Sequence, residues 1–142
     1  GMKPEQLLVF KYEDQGVATL EDGLYATEKS LADPAMAAKL AKFVKASLKG
    51  WDHAVKNQAE AVKIVLAADT SGGSTAAVQK RQLENVAKLI TVANGPKMGF
   101  LEPAAYQRTV KVLLAGGSDP VIKKDPGADA WTHEVWNKAM AK

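Results

Sequence analysis

The chain has 142 residues and a formal net charge of +3, with 46% hydrophobic and 25% charged residues. This average composition argues against a disordered chain, and the length fits one domain. The sequence contains no cysteine, which excludes disulfides, thiolate metal sites and cysteine nucleophiles.

The distribution of charged and apolar residues argues against two classes of partner. The cations are nearly all lysines and are spread over every predicted helix, whereas a nucleic-acid interface concentrates basic residues on one face. We therefore expect no nucleic-acid partner. No apolar run approaches the roughly 18 residues of a membrane-spanning helix, so we expect no membrane insertion.

The N-terminal sequence GMKPEQ has no hydrophobic signal core, and Gly1 before Met2 is interpreted as a remnant of tag removal.

The first 32 residues predict one or two short strands. Residues 7–12 (LLVFKY) are apolar and aromatic; periodicity over so few residues does not separate a strand from a helical turn, and we favour a strand. Residues 13–16 predict a turn, and residues 23–27 (GLYAT) predict a second strand. Ser30 and Leu31 belong to a short turn or helix that ends before Asp33.

A long amphipathic helix is predicted over residues 33–51. Asp33 is a good N-cap, and Pro34 suits the first helical position because its missing N–H costs nothing there. Apolar side chains at helical spacing predict one buried stripe, which consists of Met36, Leu40, Phe43, Val44, Leu48, Trp51 and Val55. The other face is interpreted as an ordinary solvated surface, formed by Lys39, Lys42, Lys45 and Lys49.

Four more helices are predicted, over about 57–68, 74–93, 103–115 and 130–141. Asn57 with Glu60 resembles a capping box at the start of the first of these. The sequence Asn94-Gly95-Pro96 ends the second. The whole pattern predicts a mostly α fold with one or two short strands and about five helices. Two strands are too few for a sheet of their own, so they must lie on helices, pair with another chain or belong to a larger α/β sheet.

The sequence offers few residues for catalysis or for metal binding. His53 and His133 lie far apart, and neither has a ligand partner three or four residues away. Residues 71–74 (SGGS) lack the lysine and the spacing of a phosphate loop and are interpreted as a flexible connector. We therefore predict no catalytic residue, no metal and no cofactor.

Four carboxylates flank a short strand-like run near the N-terminus. Glu13 and Asp14 precede this run, and Glu21 and Asp22 follow it. These side chains could recognise a cationic or amino-bearing ligand through charge-assisted hydrogen bonds. They could equally be turn and loop charges, and the residues alone favour this second interpretation because Asp is common in turns.

Short motifs in a fixed order carry a family resemblance. They are Asp14-Gln15-Gly16-Val17, residues 22–28, Asp33-Pro34, Lys49-Gly50-Trp51, residues 57–61, residues 99–103 and residues 106–109. Together these motifs, from about Tyr12 to Trp136, resemble the C-terminal part of ABC-importer substrate-binding proteins. The subgroup is the thiamine-pyrimidine and alkanesulfonate-binding family.

The resemblance implies the C-terminal portion of a type II periplasmic-binding-protein fold. On this view residues 1–142 form a single domain and a partial lobe. An N-terminal strand or arm spans 1–11, a crossover and strand span 12–32, and the helical part spans 33–142. The segment that supplies most of the first lobe's sheet is absent.

The resemblance also implies a function and a site. The function is non-catalytic capture of a small nitrogenous or sulfonated nutrient and its delivery to an ABC permease in the periplasm; the missing signal peptide leaves the cytoplasm open. One wall of the ligand cleft would be residues 13–25, called here the acidic segment, with Tyr25 as a stacking group beside Glu13, Asp14, Glu21 and Asp22.

Two other functions remain to be weighed. A stand-alone helical module would form homo-oligomers, because unpaired strand edges and helix faces need a cover. An enzyme of the pyrimidine-synthase kind is disfavoured, because the chain has nothing equivalent to that family's dedicated histidine and cysteine-rich elements.

Overall fold

The computed structural model describes residues 2–94 and 97–141, and helices dominate this part of the chain. The α-helices are α1 (Glu28–Ala32), α2 (Pro34–Lys56), α3 (Gln58–Ala68), α4 (Ala76–Asn94), α5 (Pro103–Leu114) and α6 (Glu134–Met140). Two 3-10 helices span Pro4–Gln6 and Ala128–Ala130. The predicted mostly α fold is confirmed, whereas its placement in the C-terminal portion of a receptor stays a prediction.

The two predicted strands, at 7–12 and 23–27, are wrong for the described chain. Residues 8–11 and 17–27 have no regular secondary structure, and residues 12–16 form a turn between them. The amide of Val17 donates to the Tyr12 carbonyl at 3.0 Å and closes this turn. A strand is stable only when a neighbour completes its backbone hydrogen bonds, and no described segment pairs with either stretch in this way.

The chain forms two compact units, and each is described by itself. The first comprises Gly1–Ala26 with Leu101–Thr132 and contains α5; the second comprises Thr27–Phe100 with His133–Lys142 and contains the other helices. In the second unit α2 packs against α1, α3 and α6, and α3 packs against α4. The single domain over 1–142 with its three parts stays a prediction.

The start of α2 is as predicted, and its end lies further along the chain. The Asp33 carboxylate accepts hydrogen bonds from the amides of Ala35 at 2.8 Å and Met36 at 3.3 Å. The predicted capping box at Asn57 is wrong, because its side chain makes no cap hydrogen bond to α3. The Asn57 side-chain amide instead donates to the His53 carbonyl at 3.0 Å and stabilises the C-terminal end of α2.

At α4 the structure shows an N-terminal cap, whereas at α6 the helix begins later than the sequence predicted. The Thr75 hydroxyl accepts from the Val78 amide at 3.3 Å and caps α4. Gly95 and Pro96, which were predicted to end α4, lie outside the described residues. The last helix is shorter than the predicted 130–141, since α6 begins at Glu134 after a separate 3-10 turn.

The core of the second unit consists mainly of small residues. The buried apolar residues there are Ala37, Ala41, Ala61, Val62, Ala87 and Ala139. Alanine lets helix backbones approach closely but removes little apolar area from water. Within the described residues, no helix is both long and apolar enough to span a membrane.

The predicted stripe on α2 divides into two faces. Leu40, Val44, Leu48 and Val55 are half-buried. Met36, Phe43 and Trp51 are exposed, at 38%, 59% and 45% respectively. The prediction that these three are buried is wrong, because the packed face of α2 is centred on Ala37 and Ala41 rather than on the largest apolar side chains.

Candidate ligand-binding site

The acidic segment lies in the first unit and is anchored to α5. The Arg108 side chain donates from Nε to the Ala18 carbonyl at 3.2 Å. The Leu20 amide donates to the Thr109 hydroxyl at 2.9 Å. That hydroxyl in turn donates to the Ala105 carbonyl at 3.0 Å within α5. Helix side chains thus satisfy backbone groups that a neighbouring strand would otherwise have to satisfy.

Glu13 and Asp14 occupy the turn that precedes this anchor. The Gly16 amide donates to the Glu13 carbonyl at 3.1 Å, and Gly16 has a φ of 70°, a left-handed conformation that glycine adopts without strain. Both acidic side chains are exposed. Their carboxylates form no hydrogen bond or ion pair with the described residues, so they are free to interact with a ligand or with water.

Glu21, Asp22 and Tyr25 follow the anchor in the irregular stretch 17–27. Tyr25 is 84% exposed, and its ring lies beside Gly23, where an added Cβ would be 3.7 Å from the ring carbon Cζ. Each acidic pair is adjacent in sequence, but no described contact joins the first pair to the second. In the part of the chain that the structure describes, no three histidine, aspartate or glutamate side chains form a group that could hold a metal. The assignment of these five residues to a ligand site stays a prediction.

A concave apolar surface, the α2–α4 groove, lies in the second unit. It encloses about 400 Å³ and is lined by Ser47, Gly50, Trp51, Ala54, Ala61, Val62, Val65, Gln79, Gln82, Leu83 and Val86. None of the five predicted site residues lines it. Sequence reasoning missed this groove, although three small residues on one face of α2 were a readable signal.

Both histidines make contacts within the second unit. His53 Nε2 lies 3.4 Å from a Glu60 carboxylate oxygen, and both side chains are largely exposed. The His133 ring stacks on Phe100 with 4.0 Å between ring centroids. These contacts join α2 to α3 and the loop before α5 to the start of α6, which is a structural role for each ring.

The comparison with protein families matches part of the chain. Residues 2–61 match the family model described as NMT1/THI5 like. The resemblance is therefore confirmed for these residues, which include the whole acidic segment, α1 and α2. Its extension to Trp136 and its placement in the C-terminal half stay predictions. Comparisons with curated proteins and with solved structures found no match.

Proposed function

We propose that this chain, whose residues 2–61 match the NMT1/THI5-like family, is the small-molecule binding component of an ABC importer or a piece of one. It captures a nutrient outside the cytoplasm, delivers it to a membrane permease and performs no chemistry. The family match carries this proposal, because the matched residues contain every member of the predicted site.

The acidic segment favours an amino-bearing nutrient over a sulfonated one. Its four carboxylates can accept charge-assisted hydrogen bonds from ammonium, amidine or amino groups, whereas they would repel a sulfonate. The exposed ring of Tyr25 offers a face on which a cation or a flat ring can lie. Since Arg108 and Thr109 already hold the middle of the segment, less conformational entropy is lost when a ligand binds.

A thermal-shift panel of pyrimidines, polyamines, sulfonates and nitrate tests this proposal. A ligand at about 100 times its dissociation constant stabilises a protein by about 2.7 kcal/mol, which corresponds to several degrees in Tm for a chain of this size. We expect one amino-bearing compound to raise Tm by that amount and the sulfonates to leave it unchanged.

Matched variants locate the site. The double change Glu21→Gln and Asp22→Asn should abolish the shift, whereas Asp129→Asn, which removes an exposed carboxylate elsewhere in the same unit, should leave it intact. A panel without any shift would contradict ligand binding by this chain. A shift that survives the double change would place the site outside the acidic segment.

A further inference from the structure

One face of α2 presents large apolar side chains to solvent. Met36, Phe43 and Trp51 are separated by seven and eight residues, and this spacing places them on one side of a helix with 3.6 residues per turn. At about 1.5 Å per residue they span about 22 Å along the helix axis. Phe43 is 59% exposed. Several large apolar side chains exposed on one helix face are typical of an interaction site.

This face carries a projecting side chain near its middle and a hollow towards its C-terminal end. Phe43 projects near its middle, and the α2–α4 groove begins one turn further on, where Ser47, Gly50 and Ala54 have small side chains or none. Trp51 forms one side of the hollow. A projecting ring and a cavity of about 400 Å³ thus lie on the same helix face about 12 Å apart, as measured from residue 43 to residue 51 at about 1.5 Å per residue.

We propose that a second copy of this chain covers this face, with the two α2 helices antiparallel about a two-fold axis at Ser47. In that arrangement each position before residue 47 meets the position equally far after it. Phe43 of each copy therefore meets Trp51 of the other and enters its α2–α4 groove. An interface across a two-fold axis uses the same patch twice and must be self-complementary, and a projection and a hollow on one face meet this requirement.

The chemistry of the face suits this arrangement. The residues that would meet near the axis are uncharged: Phe43, Ser47, Gly50, Trp51 and Ala54. A two-fold axis through them brings no like charges together. Lys42, Lys45 and Lys49 lie around the opposite side of the helix, where Lys45 donates to the Ala141 carbonyl at 3.1 Å. Lys39 lies at the edge of the face, and in this arrangement it meets the uncharged Val55 of the other copy. The small residues allow the helix axes to approach to the roughly 8–10 Å that close helix packing requires.

The expected dimer is weak. A single helix pair of this length, with one side chain inserted from each copy, corresponds to the small end of specific interfaces, below roughly 1,200 Å² in total. We therefore expect a dissociation constant in the micromolar range. This inference goes beyond ligand capture and does not depend on it.

Cysteine cross-linking tests the geometry directly, because the chain has no cysteine of its own. Ser47→Cys places a thiol at the proposed axis, where a disulfide needs Cα atoms about 4.4–6.8 Å apart. Lys49→Cys is the matched control, two residues on and about 200° around the helix. We expect mild oxidation to convert Ser47→Cys, but not Lys49→Cys, to a covalent dimer. Equal rates for the two variants would overturn the proposal.

Sedimentation or light scattering between about 1 and 200 µM, a range that brackets micromolar binding, supplies the second test. Phe43→Ala should weaken association at least about tenfold, because it removes the aromatic side chain that fills the groove of the other copy. Phe10→Ala makes the same change at a second exposed phenylalanine, 70% exposed in the N-terminal stretch, and should leave association unchanged. A chain that is monomeric throughout the range, or a dimer that Phe10→Ala disrupts and Phe43→Ala does not, would contradict the proposed interface.

Discussion

At the scale of single residues, Asp69 and Ser71 form the best-defined polar contact in the linker between α3 and α4. The Ser71 hydroxyl donates to Asp69 Oδ1, and the Ser71 amide donates to the same oxygen at 2.8 Å. These bonds, chiefly that from the side chain, lower the pKa of Asp69 because they stabilise its charged form. The turn they close is continued by Gly72, whose φ is 65°.

We expect Ser71→Ala to raise the pKa of Asp69 towards its ordinary value. The hydrogen bond from the Ser71 hydroxyl is the largest cause of the lowered pKa, and the substitution removes it. The folded-state pKa lies below that of the unfolded chain, about 3.9. The corresponding stabilisation is present above that unfolded value and is lost as the pH falls through the lower folded value. Carbon-13 titration of the Asp69 carboxyl measures the shift, with Ser118→Ala as a control. An unchanged Asp69 titration in Ser71→Ala would refute the assignment.

The sequence predicted the acidic segment as a ligand wall but not what holds it in place. That prediction for Glu13, Asp14, Glu21 and Asp22 came from the family resemblance, since the residues alone favoured turn and loop charges. The anchor formed by Arg108 and Thr109 depends on side chains almost ninety positions further along the chain. No local pattern specifies such a pairing, because it arises only when distant segments pack.

At the scale of elements, the loop at residues 98–100, before α5, packs against α2 and α6. The Trp136 indole donates to the Met98 carbonyl at 3.0 Å, and Phe100 stacks on His133. Gly99 lies between these contacts with a φ of 73°. A Cβ at this position would be 2.8 Å from the Leu48 Cδ2 atom. The loop therefore requires glycine for its backbone conformation and for its closeness to α2.

We expect Gly99→Ala to destabilise the protein more than Gly72→Ala does. Both positions have left-handed backbone, which costs a residue with a Cβ about 1–2 kcal/mol, but Gly72 has open space around it. The free energy of unfolding should fall by about 1 kcal/mol more in Gly99→Ala than in Gly72→Ala, since the half-buried Leu48 must move. Urea unfolding of the two variants measures this difference. Equal free energies of unfolding would show that Leu48 adapts without cost.

At the scale of the whole molecule, apolar surface is left in contact with water in both units. Leu8, Val9 and Phe10 in the first unit are 82%, 68% and 70% exposed, and Phe43 in the second is 59% exposed. An alanine-rich core contributes little stabilisation by burial. Association that covers part of this surface therefore should contribute noticeably to the stability of the folded chain.

We expect Tm to rise with protein concentration, because a partner that binds only the folded chain stabilises it by mass action. Phe43→Ala should remove this dependence, while Phe10→Ala should retain it. Differential scanning calorimetry at several concentrations provides the measurement. A Tm that is independent of concentration in the unmodified protein would argue against dimerisation.

Sequence by itself determined where the main helices begin and which family the first part resembles. The N-cap at Asp33 and the proline at residue 34 act on the backbone within one turn, so they are readable without a fold. The tertiary structure decided that residues 7–12 and 23–27 are not strands and that Phe43 and Trp51 face solvent. The physical reason is that strand pairing and burial require a partner surface, and a local pattern does not specify which surface, if any, will be there.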